Sequence, residues 1–189
     1  MNKEDLEKAV IINSIPRFVT GQNYAEGFGL QWNKFRSTQL DSFTGKPFTA
    51  DRFWRNTKWH PEDIAGKIIL EAGSGAGRFT EIMLKAGAKL VSFDYSNAVE
   101  ANFENNSSKG DLFLFQGDLF NIPFEDNCFD FVFCYGVLQH TPDPEKAFYA
   151  IEKKLKPGGK ISIDVYHKDG KIRPWKSKYL WRPITTRMN

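Results

Sequence analysis

The chain has 189 residues, 41% of them hydrophobic, and a formal net charge of +3. That is enough apolar material for one buried core and too little length for two roomy domains. No run of 18 apolar residues occurs, and the start Met1-Asn2-Lys3-Glu4-Asp5 lacks an apolar signal core, so the sequence speaks for a soluble, cytoplasmic protein.

Residues 1–60 are rich in aromatics, and Tyr24, Phe28, Trp32 and Phe35 fall on one helical stripe, a pattern that usually means core packing. From residue 66 onward, apolar runs alternate with helical patterns. Strands are expected at about 67–72, 88–94, 111–116, 129–134 and 159–166, short and apolar as strands covered on both faces are. Between them, Phe79, Ile82, Met83 and Ala86 share a helical face closed by Gly87. Val99 and Phe103 follow Ser96 as a cap, and Asp143 caps a helix with Pro144 at its first position and Ala147, Phe148, Ile151 and Leu155 as its stripe. The result is an open, doubly wound α/β fold with a parallel sheet. Three segments follow: an N-terminal cap at 1–60, the α/β core at 61–166 and a tail at 167–189. From Tyr166 to the end there are seven Lys or Arg against one acid, Asp169, a density that reads first as a solvated segment.

The first strand runs into Glu71-Ala72-Gly73-Ser74-Gly75-Ala76-Gly77, and the second ends at Asp94, 21 residues beyond Gly73. The glycines permit a sharp turn with no Cβ between loop and ligand, helix amides face the same space, and an acid at Asp94 can accept both ribose hydroxyls. A dinucleotide fingerprint needs a third glycine where Arg78 stands.

This loop resembles motif I of the class I S-adenosylmethionine-dependent methyltransferases. Gln116-Gly117-Asp118-Leu119-Phe120, the run from Phe129 through Cys134, Tyr135, Gln139 and His140 to Pro144, and Lys154 to Ile161 resemble later motifs of that family in the same order. The likeness is greatest to the methyltransferase type 11 branch, related to quinone-biosynthesis enzymes. It implies strand order 3-2-1-4-5, with the donor lying across the switch between strands 1 and 4. It also implies donor contacts at Glu71, Gly73, Ser74, Gly75, Gly77, Asp94, Tyr95, Asp118 (adenine amino group), Leu119 (ring flank), Cys134, Tyr135 and Gln139, with Tyr24 as lid. The cofactor would be S-adenosylmethionine and the product S-adenosylhomocysteine.

An activated sulfonium methyl needs alignment and dryness more than proton transfer, so His140 is the candidate base only for an acceptor that must lose a proton. The strand-4 segment lacks the Asn-Pro-Pro-Tyr type motif of base-amino methyltransferases, which disfavours nucleic acid and leaves a small-molecule acceptor. Cys128 and Cys134 bracket a strand about 20 Å long, too far apart for a disulfide, and their spacing fits no metal site. Two other classes stay open: a donor-binding module without catalysis, and a nicotinamide-dependent oxidoreductase. Because family members carry two further strands, the chain reads as C-terminally truncated. That reading expects a five-stranded, all-parallel sheet with strands 6 and 7 missing, and an exposed strand 5 edge open to self-association.

Overall fold

The computed structural model describes residues 9–19 and 25–165. Tyr24, the expected lid, and the basic tail lie outside the described residues. Seven strands form one sheet: β1 (Val10–Ile12), β2 (Ile15–Arg17), β3 (Ile68–Ala72), β4 (Lys89–Asp94), β5 (Leu112–Gln116), β6 (Phe129–Cys134) and β7 (Leu155–Ile163). Their spatial order is β1-β2-β5-β4-β3-β6-β7. The central five strands are parallel and follow the expected order 3-2-1-4-5 when numbered among themselves.

The sheet is neither five-stranded nor all parallel. A hairpin from the N-terminal segment supplies two more strands: β1 pairs antiparallel with β2, and β2 joins the outer edge of β5. The segment read as an N-terminal cap therefore also completes the sheet, on the edge opposite to β7. Three-residue strands carry almost no period-2 signal, so pattern reading passed over them. What pins the hairpin is polar and long-range. Arg17, buried, donates to Gln116 Oε1 at 2.9 Å and to Glu100 Oε1 at 2.9 Å.

The helices are α1 (Glu26–Lys34), α2 (Asp41–Thr44), α3 (Phe48–Thr57), α4 (Pro61–Ile64), α5 (Arg78–Lys85), α6 (Ala98–Asn106) and α7 (Pro144–Glu152), with a 3-10 turn at Leu138–His140. α5 buries Phe79, Ile82 and Met83 as the stripe predicts. α7 starts as expected, the Asp143 carboxylate accepting from Lys146 N at 3.0 Å with Pro144 in the first turn. It stops at Glu152, however, and Leu155 opens β7 instead of closing the helical stripe. For α6 the cap position is Asn97, one residue later than expected, while the Ser96 hydroxyl accepts from Ala98 N at 3.2 Å.

Alternate residues of the central strands feed two cores, as full coverage of both faces requires. Ile69, Phe131 and Phe133 pack with Phe53, Trp59, Phe79 and Met83 under α3 and α5. Leu70, Val132 and Cys134 pack with Phe93, Phe115, Ala147 and Ile151 under α7. Both cysteines are free, as their spacing requires. Among the described residues no helix is long and apolar enough to cross a membrane.

Candidate functional site

The C-terminal ends of β3 and β6 diverge at the point where the strand order reverses, the place where open α/β sheets bind ligands. The β3 loop is tied to β4 at once: Gly73 N and Ser74 N both donate to Phe93 O, at 2.8 and 3.0 Å. Gly73 sits at φ +77°, and a Cβ there would lie 2.1 Å from Val137 Cγ2; Gly77, at φ +84°, would collide with Asn102 Oδ1 at 2.0 Å. These two glycines therefore make room for the protein's own side chains, and Gly73 lines the cleft as well. Gly73 and Gly75 line the cleft and Gly77 does not; at Gly75 an added Cβ would lie 3.3 Å from Trp32 Nε1.

A cleft of about 270 Å³ opens over this loop. Gly73, Ser74, Gly75, Asp94, Tyr95, Tyr135 and His140 meet on its wall, as the sequence led one to expect. Phe28 and Trp32 of α1 also line it, so this stripe is a cover and not core. Phe28 packs edge-on against the His140 imidazole with ring centroids 5.2 Å apart. Gln39, Arg78, Phe79, Val137 and Thr141 also line the cleft and were not singled out in the sequence as site residues. The i, i+4 spacing of Phe28 and Trp32 carried the available signal for the cover. For Gln39 there was none, because its place depends on tertiary packing.

Asp94 is already engaged. Its Oδ2 accepts from Gly75 N at 2.9 Å, and its Oδ1 accepts from Ser96 N and Oγ at 2.9 and 2.7 Å. The carboxylate thus locks the loop to the tip of β4 and, on the cleft wall, keeps about one of its four acceptor sites for a ligand. The Ser74 hydroxyl is buried in the wall with no partner among the described residues, a polar group for which a bound ligand would supply one.

Other expected contacts lie elsewhere. Glu71 is 2% exposed and points beneath the loop, where its Oε2 accepts from Thr80 Oγ1 at 2.6 Å and Ser92 Oγ at 2.7 Å. Burial, opposed by those two bonds, raises its pKa to about 7. Asn102 extends the network by donating to Thr80 Oγ1 at 3.0 Å, so Glu71 fastens β3, β4, α5 and α6 together. Asp118 accepts from Phe120 N at 2.9 Å in a turn, Leu119 is buried in the core, and neither lines the cleft. Cys134 is fully buried, and burial pushes its thiol above the ordinary range, which removes it as a nucleophile. Gln139 also lies off the wall, and both of its amide atoms are buried without a partner among the described residues.

A glycine loop without the pyrophosphate glycine, roofed by aromatics at this switch point, belongs to the class I S-adenosylmethionine-dependent methyltransferases, and that is the class of fold the chain adopts. Residues 70–163 match the family described as Methyltransferase domain, and the chain belongs to it. The sequence is 34% identical over 122 residues to a tRNA U34 carboxymethyltransferase of Nautilia profundicola, a match covering 60% of this chain and 41% of that protein. It is 32% identical over 117 residues to a demethylmenaquinone methyltransferase of Corynebacterium urealyticum, covering 61% of this chain and 49% of that one. In both cases the match spans less than half of the relative. Among solved structures, phosphoethanolamine N-methyltransferase 1 of Haemonchus contortus, in complex with phosphoethanolamine and S-adenosylhomocysteine, superposes with a TM-score of 0.56 at 20% identity. That match covers 72% of this chain and 31% of that one, a likeness of fold.

Proposed function

We propose that the chain transfers a methyl group from S-adenosylmethionine to a small-molecule acceptor by in-line displacement in the cleft between β3 and β6. The observation that carries this reading is the unpartnered Ser74 hydroxyl, buried in a cleft wall that also holds Gly75, Asp94 and the Trp32 roof. The residues present fit the donor. Asp94 offers a carboxylate lone pair to a ribose, Ser74 and the loop offer polar contacts to an amino-acid end, and the aromatic faces of Phe28, Trp32 and Tyr135 suit a sulfonium. When bound, the donor supplies a methyl group already activated by positive sulfur.

The chain's own work is then alignment and exclusion of water. α1 lays Phe28 and Trp32 across the cleft, while Tyr135, held by its hydroxyl to Ser162 Oγ at 2.9 Å, forms part of the opposite wall. His140 stands on the wall against Phe28, where it can take a proton from an acceptor hydroxyl or amine. The N-terminal segment acts as the cap and residues 61–166 as the donor-binding core.

A second reading, a tRNA acceptor, is favoured by the likeness to tRNA U34 carboxymethyltransferases. Incubation with methyl-labelled S-adenosylmethionine and, separately, a metabolite pool and a tRNA pool tests both. Label is expected in the metabolite fraction; label in tRNA alone would replace the small molecule with a polynucleotide. Donor binding with no transfer to either pool would reduce the chain to a binding module, and nicotinamide-cofactor binding in place of donor binding would overturn the class of reaction.

A further inference from the structure

Two guanidinium groups crowd one corner of the cleft. Arg78 lies over the Phe79 ring with its Cζ 4.6 Å from the centroid, and Arg52 approaches the same ring at 5.8 Å. Arg52 is paired with Asp164 at 3.2 Å, and the Asp164 carboxylate also accepts from Gly136 N. Arg78 has the neutral amide oxygen of Gln39, 2.7 Å from its Nη1, as its hydrogen-bond partner. Two cations therefore share one carboxylate, and among the described residues it is the cation on the cleft wall that lacks an anionic partner of its own.

Burial lowers the pKa of Arg78, with Arg52 adding to the effect, so its charge is held at a cost that Asp164 and Glu71 offset only in part. Asp94 is not among the charges that act on Arg78; its carboxylate serves Gly75 N and Ser96 at the tip of β4. The donor cannot relieve it in full either. S-adenosylmethionine carries one carboxylate against an ammonium and a sulfonium, so its arrival adds positive charge to the cleft. An anionic group on the other reactant would balance this charge.

We propose that Arg78, held by Gln39 and flanked by the Arg52–Asp164 pair, is a specificity-determining residue that binds a carboxylate or phosphate group of the methyl acceptor. The guanidinium fork suits either oxyanion and can hold it by two parallel bonds. This inference rests on the cleft being the methyl-transfer site, and its test separates the two.

Wild type, Arg78→Gln and Arg78→Lys, each checked by its unfolding midpoint, are saturated with S-adenosylhomocysteine and titrated with benzoate and with inorganic phosphate. At least one of the two anions should bind the wild type. Arg78→Gln should weaken that binding at least about 10-fold, as loss of a charge-assisted pair does, while affinity for S-adenosylhomocysteine stays within about threefold. If Arg78→Gln does not fold, Arg78→Lys serves: exchanging a fork for a point charge should still weaken the anion about threefold or more.

Failure of both anions to bind the loaded wild type overturns the proposal. So does an Arg78→Gln variant that loses affinity for S-adenosylhomocysteine but not for 5′-methylthioadenosine, since the anion would then be the donor's own carboxylate. If the wild type binds no S-adenosylhomocysteine at all, it is the donor site that falls. The same anion titration on the unloaded proteins then decides for or against the Arg78 corner alone.

Discussion

Glu71 lies under the glycine loop with hydroxyl donors and, among the described residues, no cation within hydrogen-bond reach, and its pKa is raised from 4.5 to about 7 mainly by burial. The folded carboxyl thus holds its proton across a pH range in which the unfolded one has released it. The stability this contributes is complete below pH 4.5 and is lost as pH rises through about 7, a total of about 3 kcal/mol. Urea unfolding at about pH 5 and about pH 8 should show the wild type losing that much more stability than Glu71→Gln. Equal losses would mean that the carboxyl ionises freely where it sits. Asp94→Ala removes both a ribose acceptor and the clamp on Gly75, so S-adenosylmethionine affinity should fall about 10- to 100-fold by calorimetry. If His140 is the base, His140→Ala should cut turnover about 100-fold or more at neutral pH with donor affinity kept. A loss of thermal stability with turnover per folded molecule preserved would instead make His140 an anchor for the turn before Pro142.

Among the elements, α1 is the one whose role changed between pattern and structure. Its stripe looks like core, yet Phe28 is 40% exposed and Phe35 50% exposed, because α1 rides on the cleft mouth and not on the sheet. Trp32 reaches the loop at Gly75. Trp32→Ala should therefore weaken S-adenosylhomocysteine about 10-fold while leaving the unfolding midpoint within a few degrees. A large drop in midpoint with unchanged affinity would return α1 to a purely structural role. β7 shows the opposite case. Its strand was expected at 159–166 but begins at Leu155, which pairs with Phe129 while Lys160 pairs with Phe131, so the residues around Gly158, at φ +78°, are taken up in an irregular register that no alternation pattern encodes.

At the scale of the molecule, the hairpin β1–β2 moves the open edges of the sheet. β7 ends it on one side, as expected for strand 5, and β1 ends it on the other with Val10, Ile11 and Ile12 at 60%, 59% and 48% exposure. Apolar edge strands recruit further strands. Sedimentation velocity over a concentration series should report self-association. Ile11→Lys, which adds charge to β1 without touching the core, should reduce it. Association that persists unchanged in Ile11→Lys would place the contact at β7.

The sequence alone determined the five-strand parallel core, its order, and the meeting of Gly73, Ser74, Gly75, Asp94, Tyr95, Tyr135 and His140. The core follows from apolar runs that only a sheet covered on both faces can bury and the loop from its turn chemistry, while the strand order and the meeting of the site residues are what the resemblance to the methyltransferases implied. Tertiary structure decided the rest. Glu71 and Ser92 are neighbours across the β3–β4 ladder, and their network, like the room made by Gly73 for Val137, depends on register. Gln39, Arg78 and Arg52 come together because α3 and the segment before α2 pack against α5, and Arg17 finds Glu100 and Gln116 because the hairpin closes on β5. Those contacts join residues far apart in the chain, and one sequence records which side chains are present, not which of them the packing brings face to face.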